Sequence, residues 1–381
     1  MTAPTVDITS ALRDRIANAG ARGAAIRVVC GSTWLDAGRP TRDAETVSLR
    51  EYSGITEYVP GDLTLTARAG TTLAELRDAT NDNGQWLALD PFGSDDGTLG
   101  ATVATASAGP LRTSFGSPRD LVLGLEFVTG AGVLARSGGR VVKNVAGFDV
   151  SRLLTGSWGT LAVITEITVR LHARPAADET LAIAIDGSAG VSHIRAALRC
   201  MPFTPLACEI LNDTLADDTV NVREPTALFR LGGNAESVRA QRAAITSLGG
   251  ARDVSVDVWT RLRRAEPGGA IVFRLSRSSS EIGATWTDAM SLAHECDGVM
   301  IHASPTRGVV RCIVPNTPAA VAGLSEWFAA QSGGTRIGER LPATLWDACS
   351  PPPALDRLSR EVKRTFDPRG ILNPGILGES P

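Results

Sequence analysis

The stretch TGSWGTLAVITEITVRL, residues 155–171, constrains this chain more than any other. Gly156 and Gly159 bracket a turn at Trp158, and the run that follows is rich in β-branched residues and alternates apolar with polar in its later half. That pattern is a strand with one face buried, entered through a turn that needs bare backbone. Just upstream, Asp149 is placed to cap a short helix carrying Leu153 and Leu154. Further back, LVLGLEFVTGAGVLARSGG sets apolar-rich runs on both sides of Gly130-Ala131-Gly132, which reads as a β-hairpin.

The rest of the chain supplies material for more than one such unit. At 381 residues, 43% of them hydrophobic, it can bury a large core and build two or three domains. A net charge of -3 offers no basic field for nucleic acid or acidic lipid. The six cysteines are scattered with no C-x-x-C, so no local zinc or iron–sulfur signature exists and reduced thiols are expected. Neither a signal-type start nor a run of roughly 18 apolar residues occurs, which points to a cytoplasmic chain without a transmembrane segment.

The first elements follow from periodicity. Ile8, Leu12 and Ile16 predict an amphipathic helix ending at Gly20. Ile26 to Val29 form a short strand feeding a turn of small polar residues, which suits either an anion site or a plain surface turn. Strands are expected over 46–69, and then a helix with Leu73, Leu76 and Ala79 on one face, closed by Asn83-Gly84, in a βαβ-like unit. Residues 98–107 are small and predict a short helix with unsatisfied N-terminal amides, suited to close approach by a ligand or to tight packing. After a polar, proline-containing shift near Pro175, strand-like runs alternate with alanine-rich helices, the pattern of a two-layer α+β sheet with helices on one face. Leu355, Leu358, Val362 and Phe366 then share a stripe on a last helix, stopped by DPRGILNPG.

Four motifs, GTLGATVATASAGP, GSPRDLVLGLEFVTGAG, VVKNVAGFDVSRLLTGSWGTLAVITEITV and FDPRGILNPG, stand in the order typical of the FAD-linked oxidases of vanillyl-alcohol oxidase type. Across most of its length the chain resembles that family, and within it the E-type FAD-binding subunits of glycolate oxidases. The resemblance implies an α+β fold with a PCMH-type two-lobed FAD-binding domain over 1–175, an α+β (ferredoxin-like) cap over 176–350, and a C-terminal helix and tail, 351–381, returning to the FAD domain. It further implies that Cys30, Gly31, Ser32, Thr33 and Trp34, and then Gly97, Thr98, Leu99, Gly100 and Thr102, hold the FAD pyrophosphate. In that scheme Pro91 joins the cofactor set, and Ala108, Gly109, Ser114, Phe115 and Gly116 pass beside the isoalloxazine. Gly156, Gly159 and Val163 meet the adenine end, and Asn373 reaches back to the flavin. Ser32 stands where some relatives carry a flavin-linked histidine, so FAD is expected to be noncovalent.

The cap departs from the family pattern. Related catalytic subunits carry two histidines and a glutamate that bind a divalent metal, whereas IHASPTRGVVR and SGGTRIG retain only His302, with Val309, Gly334 and Thr335 at the other places. No metal is expected. Lys143, Asn144, Arg112 and Arg119 are the candidates for contact with substrate or reduced flavin, since a charge-assisted contact strengthens in a dry cleft. The resemblance therefore implies an FAD-dependent oxidoreductase acting on the CH–OH of a small 2-hydroxy acid. Electrons would pass to a subunit-D-like flavoprotein and an iron–sulfur subunit, with association to the inner membrane face through those partners. A non-catalytic FAD-binding relay subunit and a free-standing dehydrogenase of another alcohol or sugar acid remain open alternatives.

Overall fold

The computed structural model describes residues 8–31, 33–41, 43–139, 149–331, 333–350 and 356–378. The first helix, Ile8–Arg22, buries Leu12, Ile16 and Ala19 and runs past Gly20; the chain reverses instead at Gly23, whose φ is +67. Among the described residues nine strands make the first lobe. Strand β1 (Ile26–Val29) pairs in parallel with β2 (Glu45–Ser48). Then come β3 (Ile55–Val59), β4 (Thr64–Arg68), β5 (Gln85–Trp86), β6 (Val122–Thr129), β7 (Leu134–Gly138), β8 (Ala162–Arg170) and β9 (His172–Ala173). Five of them form an antiparallel sheet in the order β3-β4-β8-β6-β7. The β6–β7 hairpin turns through Gly132 at φ +76, as its sequence suggests. Leu65, Leu125, Phe127, Val163 and Ile167 on this sheet pack against Ile16, Leu76, Leu99, Val103 and Leu154 from the helices, giving the lobe one apolar core.

The helix Leu73–Asn81 has a full capping box, Thr72 with Glu75, and buries Leu73, Leu76 and Thr80. It does not complete a βαβ unit. Its flanking strands β4 and β5 belong to different sheets, because Gly84 at φ +59 turns the chain and Arg174 N donates to Gly84 O at 2.8 Å, drawing β5 onto β9.

The second lobe holds β10 (Ala177–Ala184), β11 (Ala207–Leu211), β12 (Thr226–Gly233), β13 (Arg252–Val254), β14 (Ile271–Ser276), β15 (Met300–Ser304), β16 (Val309–Val314) and β17 (Thr335–Arg340). They form one antiparallel sheet in the order β13-β10-β12-β11-β15-β16-β14-β17. Helices Gly187–Cys200, Ala235–Thr246, Ile282–Glu295 and Pro318–Ala330 cover one face through Ile194, Val238, Trp286 and Phe328, among others. The opposite face is not left bare, contrary to the one-sided layer expected. Two shorter helices, Asp213–Val220 and Val258–Arg264, bury Leu215, Trp259 and Leu262 over Ala182, Leu211 and Leu228. The cause is in the strands, since ACEIL of β11 is buried at every position and needs cover on both sides.

The last helix, Arg357–Phe366, fully buries none of its residues and leaves Leu358 69% exposed, while half-buried Phe366 packs on the first-lobe core beside Phe127; Leu355 lies outside the described residues. The anchor is the next residue. Asp367 accepts hydrogen bonds from Ile371 N (3.1 Å), Leu372 N (2.9 Å) and Lys363 Nζ (2.9 Å), which folds the tail inward so that Leu372 bridges Ile26 in parallel beside β1.

Candidate cofactor groove and active site

Three pieces of the first lobe and the tail enclose a groove. Its walls include Cys30, Gly31, Thr33 and Trp34 after β1, Gly100 on the small-residue helix Leu99–Thr105, Gly159 and Val163 at the entry to β8, and Asn373. The turn before β8 is left-handed through Gly156 (φ +84), Trp158 (φ +54) and Gly159 (φ +66). It is pinned to the end of the small-residue helix by Gly156 N donating to Val103 O (3.0 Å) and Trp158 N donating to Ala104 O (2.8 Å). Asn373 ties turn, strand and tail together. Its Oδ1 accepts from Val28 N at 2.8 Å, its Nδ2 donates to Trp158 O at 2.7 Å, and its own N donates to Ile26 O at 2.8 Å. The side chain thus lines the groove with its amide ends engaged by the chain.

The second loop behaves differently from the sequence expectation of free amides. Gly97 N donates to Ser94 O, Leu99 N to Thr71 O and Gly100 N to Ala69 O, all within 3.0 Å, and Thr98 caps the helix by accepting from Ala101 N at 3.3 Å. Gly100 has its own reason to be glycine, because a Cβ there would sit 2.7 Å from both Cβ and O of Ala69. Thr102 is buried with its hydroxyl on Thr98 O (3.0 Å), and among these five residues only Gly100 lines the groove. In the first loop the amides of Thr33 and Trp34 meet no acceptor among the described residues. Beside them the Arg27 Nη1 is buried without a partner, and burial lowers that guanidinium's pKa. Burial also pushes the Cys30 thiol up, which makes it a packed thiol rather than a thiolate. Ser32, Lys143 and Asn144 lie outside the described residues.

The groove runs on into a cavity of about 250 Å³ between the lobes, with Trp34, Thr105, Trp158 and Ile376 lining both. One wall is the small-residue stretch 105–108, which includes Ala108. Other expected flavin neighbours lie elsewhere. Gly109 is pressed on Asp90, whose O would be 2.0 Å from a Cβ, and Pro91 O accepts from Arg263 Nη1 at 3.1 Å. Ser114 Oγ donates to Pro205 O at 2.6 Å, and Phe115 stacks edge-on between Trp86 and His172. Gly116 and Arg112 line a second opening toward the cavity, whereas exposed Arg119 donates from Nε to Thr155 O at 3.1 Å.

The opposite wall is the second-lobe sheet, and here the structure brings together residues that sequence reasoning missed. A polar row crosses four neighbouring strands. His302 on β15 faces Arg311 on β16, which faces Arg274 on β14, with Glu339 of β17 at the bulge beside them. Glu209 of β11 reaches the same row: its Oε2 contacts His302 Nδ1 at 2.9 Å and its Oε1 accepts from Ser304 Oγ at 2.5 Å. Arg311, 2% exposed, donates to Glu339 Oε2 from Nε (3.0 Å) and Nη2 (2.6 Å) and lies 2.5 Å from Glu266. Arg274 lies 2.6 Å from the other Glu339 oxygen, and Arg340 pairs with Glu266 and Asp36. Arg307 lines the cavity without an ion-pair partner among the described residues; burial, and then the like charge of Arg112, lower its pKa to about 10. The signal available in the sequence was a single charge inside each of several apolar strands, as in ACEIL, IVFRLS and VVRCIV. Among the described residues no group of three His, Cys, Asp or Glu side chains could hold a metal ion.

An extended dinucleotide fits this arrangement. Bare backbone and unengaged amides stand at one end, and a wall of small side chains faces arginines at the other. The family model described as "FAD binding domain" matches residues 5–138. Among solved structures, p-cresol methylhydroxylase with substrate bound superposes with a TM-score of 0.77 over 97% of this chain and 87% of that one, at 16% identity. The class is therefore an FAD-dependent oxidoreductase of PCMH-type fold, with FAD as its cofactor. Glycolate oxidase subunit GlcE of Escherichia coli (strain K12) is 32% identical over 353 residues, 89% of each chain, and subunit GlcD of Bacillus subtilis (strain 168) is 24% identical over 92% of this chain and 81% of its own. The chain belongs to the glycolate oxidase subunit family.

Proposed function

We propose that this chain is the FAD-carrying subunit of a multi-component, glycolate-type 2-hydroxy-acid oxidoreductase, taking a hydride from the substrate α-carbon and passing electrons to partner subunits. The observation that carries the reading is the continuity of the groove with a cavity whose far wall holds His302, Arg307 and Arg311. In this reading Cys30, Gly31, Thr33, Trp34, Gly100, Gly159, Val163 and Asn373 hold the adenosine-diphosphate half, and Ala108 lies beside the ring system. Bound FAD supplies a two-electron acceptor. The chain's own residues supply the rest: Trp34 and Trp158, edge to face at 6.4 Å, line the junction of groove and cavity, and the arginines attract a carboxylate into that cavity.

The names of the relatives support a glycolate-type substrate and an assembly with a D-type flavoprotein. An iron–sulfur subunit is the proposed onward acceptor, because the described residues offer no cluster ligand set. Association with the inner membrane face would run through partners, since no helix among the described residues is long and apolar enough to cross a membrane. The test is the purified full chain. It should be yellow, release FAD on denaturation, and bleach when mixed anaerobically with glycolate or lactate. A colourless protein refutes the cofactor assignment, and a flavin that stays yellow refutes substrate oxidation by this chain.

A further inference from the structure

Arg27 is the one charged residue lining the cofactor groove among the described residues, and the chain sets no counter-charge against it. Strand alternation accounts for its direction. Ile26 and Val28, on either side of it in β1, pack into or against the first-lobe core, which turns the Arg27 side chain off that core. The guanidinium reaches the first loop, where Nη2 makes only a long contact with Leu35 O at 3.5 Å, one residue beyond Trp34. Nη1 is buried without a partner, and burial lowers the pKa with no carboxylate offsetting it. A buried donor on a cation is costly when nothing accepts from it, so the position calls for an anion.

The surroundings narrow the choice of anion. A second guanidinium at this loop, Arg340, is already paired with Asp36 and Glu266. In the second loop the amides of Gly97, Leu99 and Gly100 are taken by Ser94, Thr71 and Ala69. The unengaged amides of Thr33 and Trp34 are therefore the neutral donors at hand, and Arg27 is the cation beside them. Oxidised FAD carries its negative charge on the pyrophosphate, while its ring system and adenosine are neutral. A planar guanidinium fork matches phosphate oxygens.

We infer that Arg27 binds the pyrophosphate of FAD, and that this contact makes the groove prefer a phosphorylated adenosine to a neutral one. The inference rests on the placement of the adenosine-diphosphate half in this groove, proposed above. It adds a side-chain cation to a loop that otherwise offers backbone amides. In the FAD-free chain the guanidinium stays unmatched, so Arg27 serves the bound cofactor and not the fold.

The experiment uses the full chain, both FAD-loaded and stripped of flavin, with Arg27→Gln and Arg27→Lys. The rise of flavin fluorescence on dilution of the loaded chain gives FAD release, and calorimetry on the stripped chain gives affinity for ADP and for adenosine. Arg27→Gln should speed release and weaken ADP by about 10–100-fold, with adenosine changed by less than about twofold. Arg27→Lys keeps the charge but loses the fork, and should fall between the parent and Arg27→Gln. Added salt should weaken ADP binding to the parent more than to Arg27→Gln. Thermal unfolding of the stripped chain should find Arg27→Gln at least as stable as the parent, which loss of a structural arginine would not give. Parental release and ADP affinity in Arg27→Gln overturn the inference, and so does an equal loss for ADP and adenosine, the mark of a collapsed groove. If stripping unfolds the chain, release rates rising from parent through Arg27→Lys to Arg27→Gln carry the expectation, and equal rates overturn it. Failure of the placement reads differently: ADP would not compete with FAD for the parent, and Gly159→Ala would leave FAD affinity unchanged, which refutes the placement and the inference together.

Discussion

Glu339 is the anion that the polar row depends on, so Glu339→Gln isolates what that row contributes. The side chain is 7% exposed and sits between Arg311 and Arg274. Burial by itself would raise its pKa; the two guanidiniums outweigh burial and hold the carboxyl at about 2, against an ordinary 4.5. At about 1.36 kcal/mol per pH unit, that difference corresponds to about 3 kcal/mol. The folded-state value lies below the unfolded one. The stabilisation is therefore fully present above pH 4.5 and lost as pH falls toward 2. Glutamine keeps the volume and one acceptor but removes the charge, leaving Arg274 unmatched and Arg311 with Glu266 alone. Urea unfolding followed by tryptophan fluorescence should show a loss of about 3 kcal/mol at pH 7, and between pH 5 and pH 3 the variant should lose less stability than the parent. A loss below about 1 kcal/mol at pH 7, with parallel pH profiles, would refute the claim that this carboxylate is ionised and paired in the folded state.

Other perturbations address separate parts of the molecule. Gly159→Ala should weaken FAD binding by about tenfold in a fluorescence titration, because alanine at φ +66 is strained and its Cβ would meet Asn373 Nδ2 at 2.7 Å; unchanged affinity would remove Gly159 from the groove wall. Asp367→Ala strands the amides of Ile371 and Leu372, so it should cost about 3 kcal/mol in unfolding experiments and lower FAD occupancy, the tail being the carrier of Asn373. Asp90, whose carboxyl burial raises to about 7, favours the fold below pH 3.8 and loses that contribution as pH rises through 7. Asp90→Asn should accordingly be more stable than the parent at pH 8, with the advantage shrinking by pH 5, as thermal unfolding at both values will show; equal gains at both would exclude a titrating carboxyl.

What the sequence makes legible here is local. The β6–β7 hairpin, the Asp149 cap on Arg152 N at 3.0 Å, the turn at Trp158 and the strands of the second lobe each follow from neighbours within a few residues. The failures share a cause. The amides of Leu99 and Gly100 look free in the sequence, yet Thr71 and Ala69, some thirty residues upstream in the chain, supply their acceptors. The polar row is harder still to see, since Glu209, Arg274, His302, Arg311 and Glu339 become neighbours only through the strand order β11-β15-β16-β14-β17. A charge inside an apolar strand marks a burial problem to be solved; which strand solves it is a matter of long-range pairing.

That pairing also ties the groove to the second lobe. The loop after β1 is held from the second lobe: Gly38 N donates to Glu339 O at 2.9 Å, Arg340 Nη2 donates to Thr33 O at 3.2 Å, and the Arg340 guanidinium lies 5.0 Å over Trp34. On the other side of the cavity, Gly93 N donates to Arg263 O at 2.7 Å and Arg263 pairs with Asp95 at 2.8 Å. Glu339 and Arg340 thus hold the polar row with their side chains and the first-lobe loop with a carbonyl or guanidinium. A defect in the row is transmitted to the loop that carries Thr33 and Trp34 without any movement of the first-lobe core. Glu339→Gln should therefore also weaken FAD binding, by more than Arg22→Ala, which removes only the exposed pair with Glu45 at 2.9 Å. Equal FAD affinity in the two variants, measured by the same titration, would show that the loop keeps its shape without the second lobe.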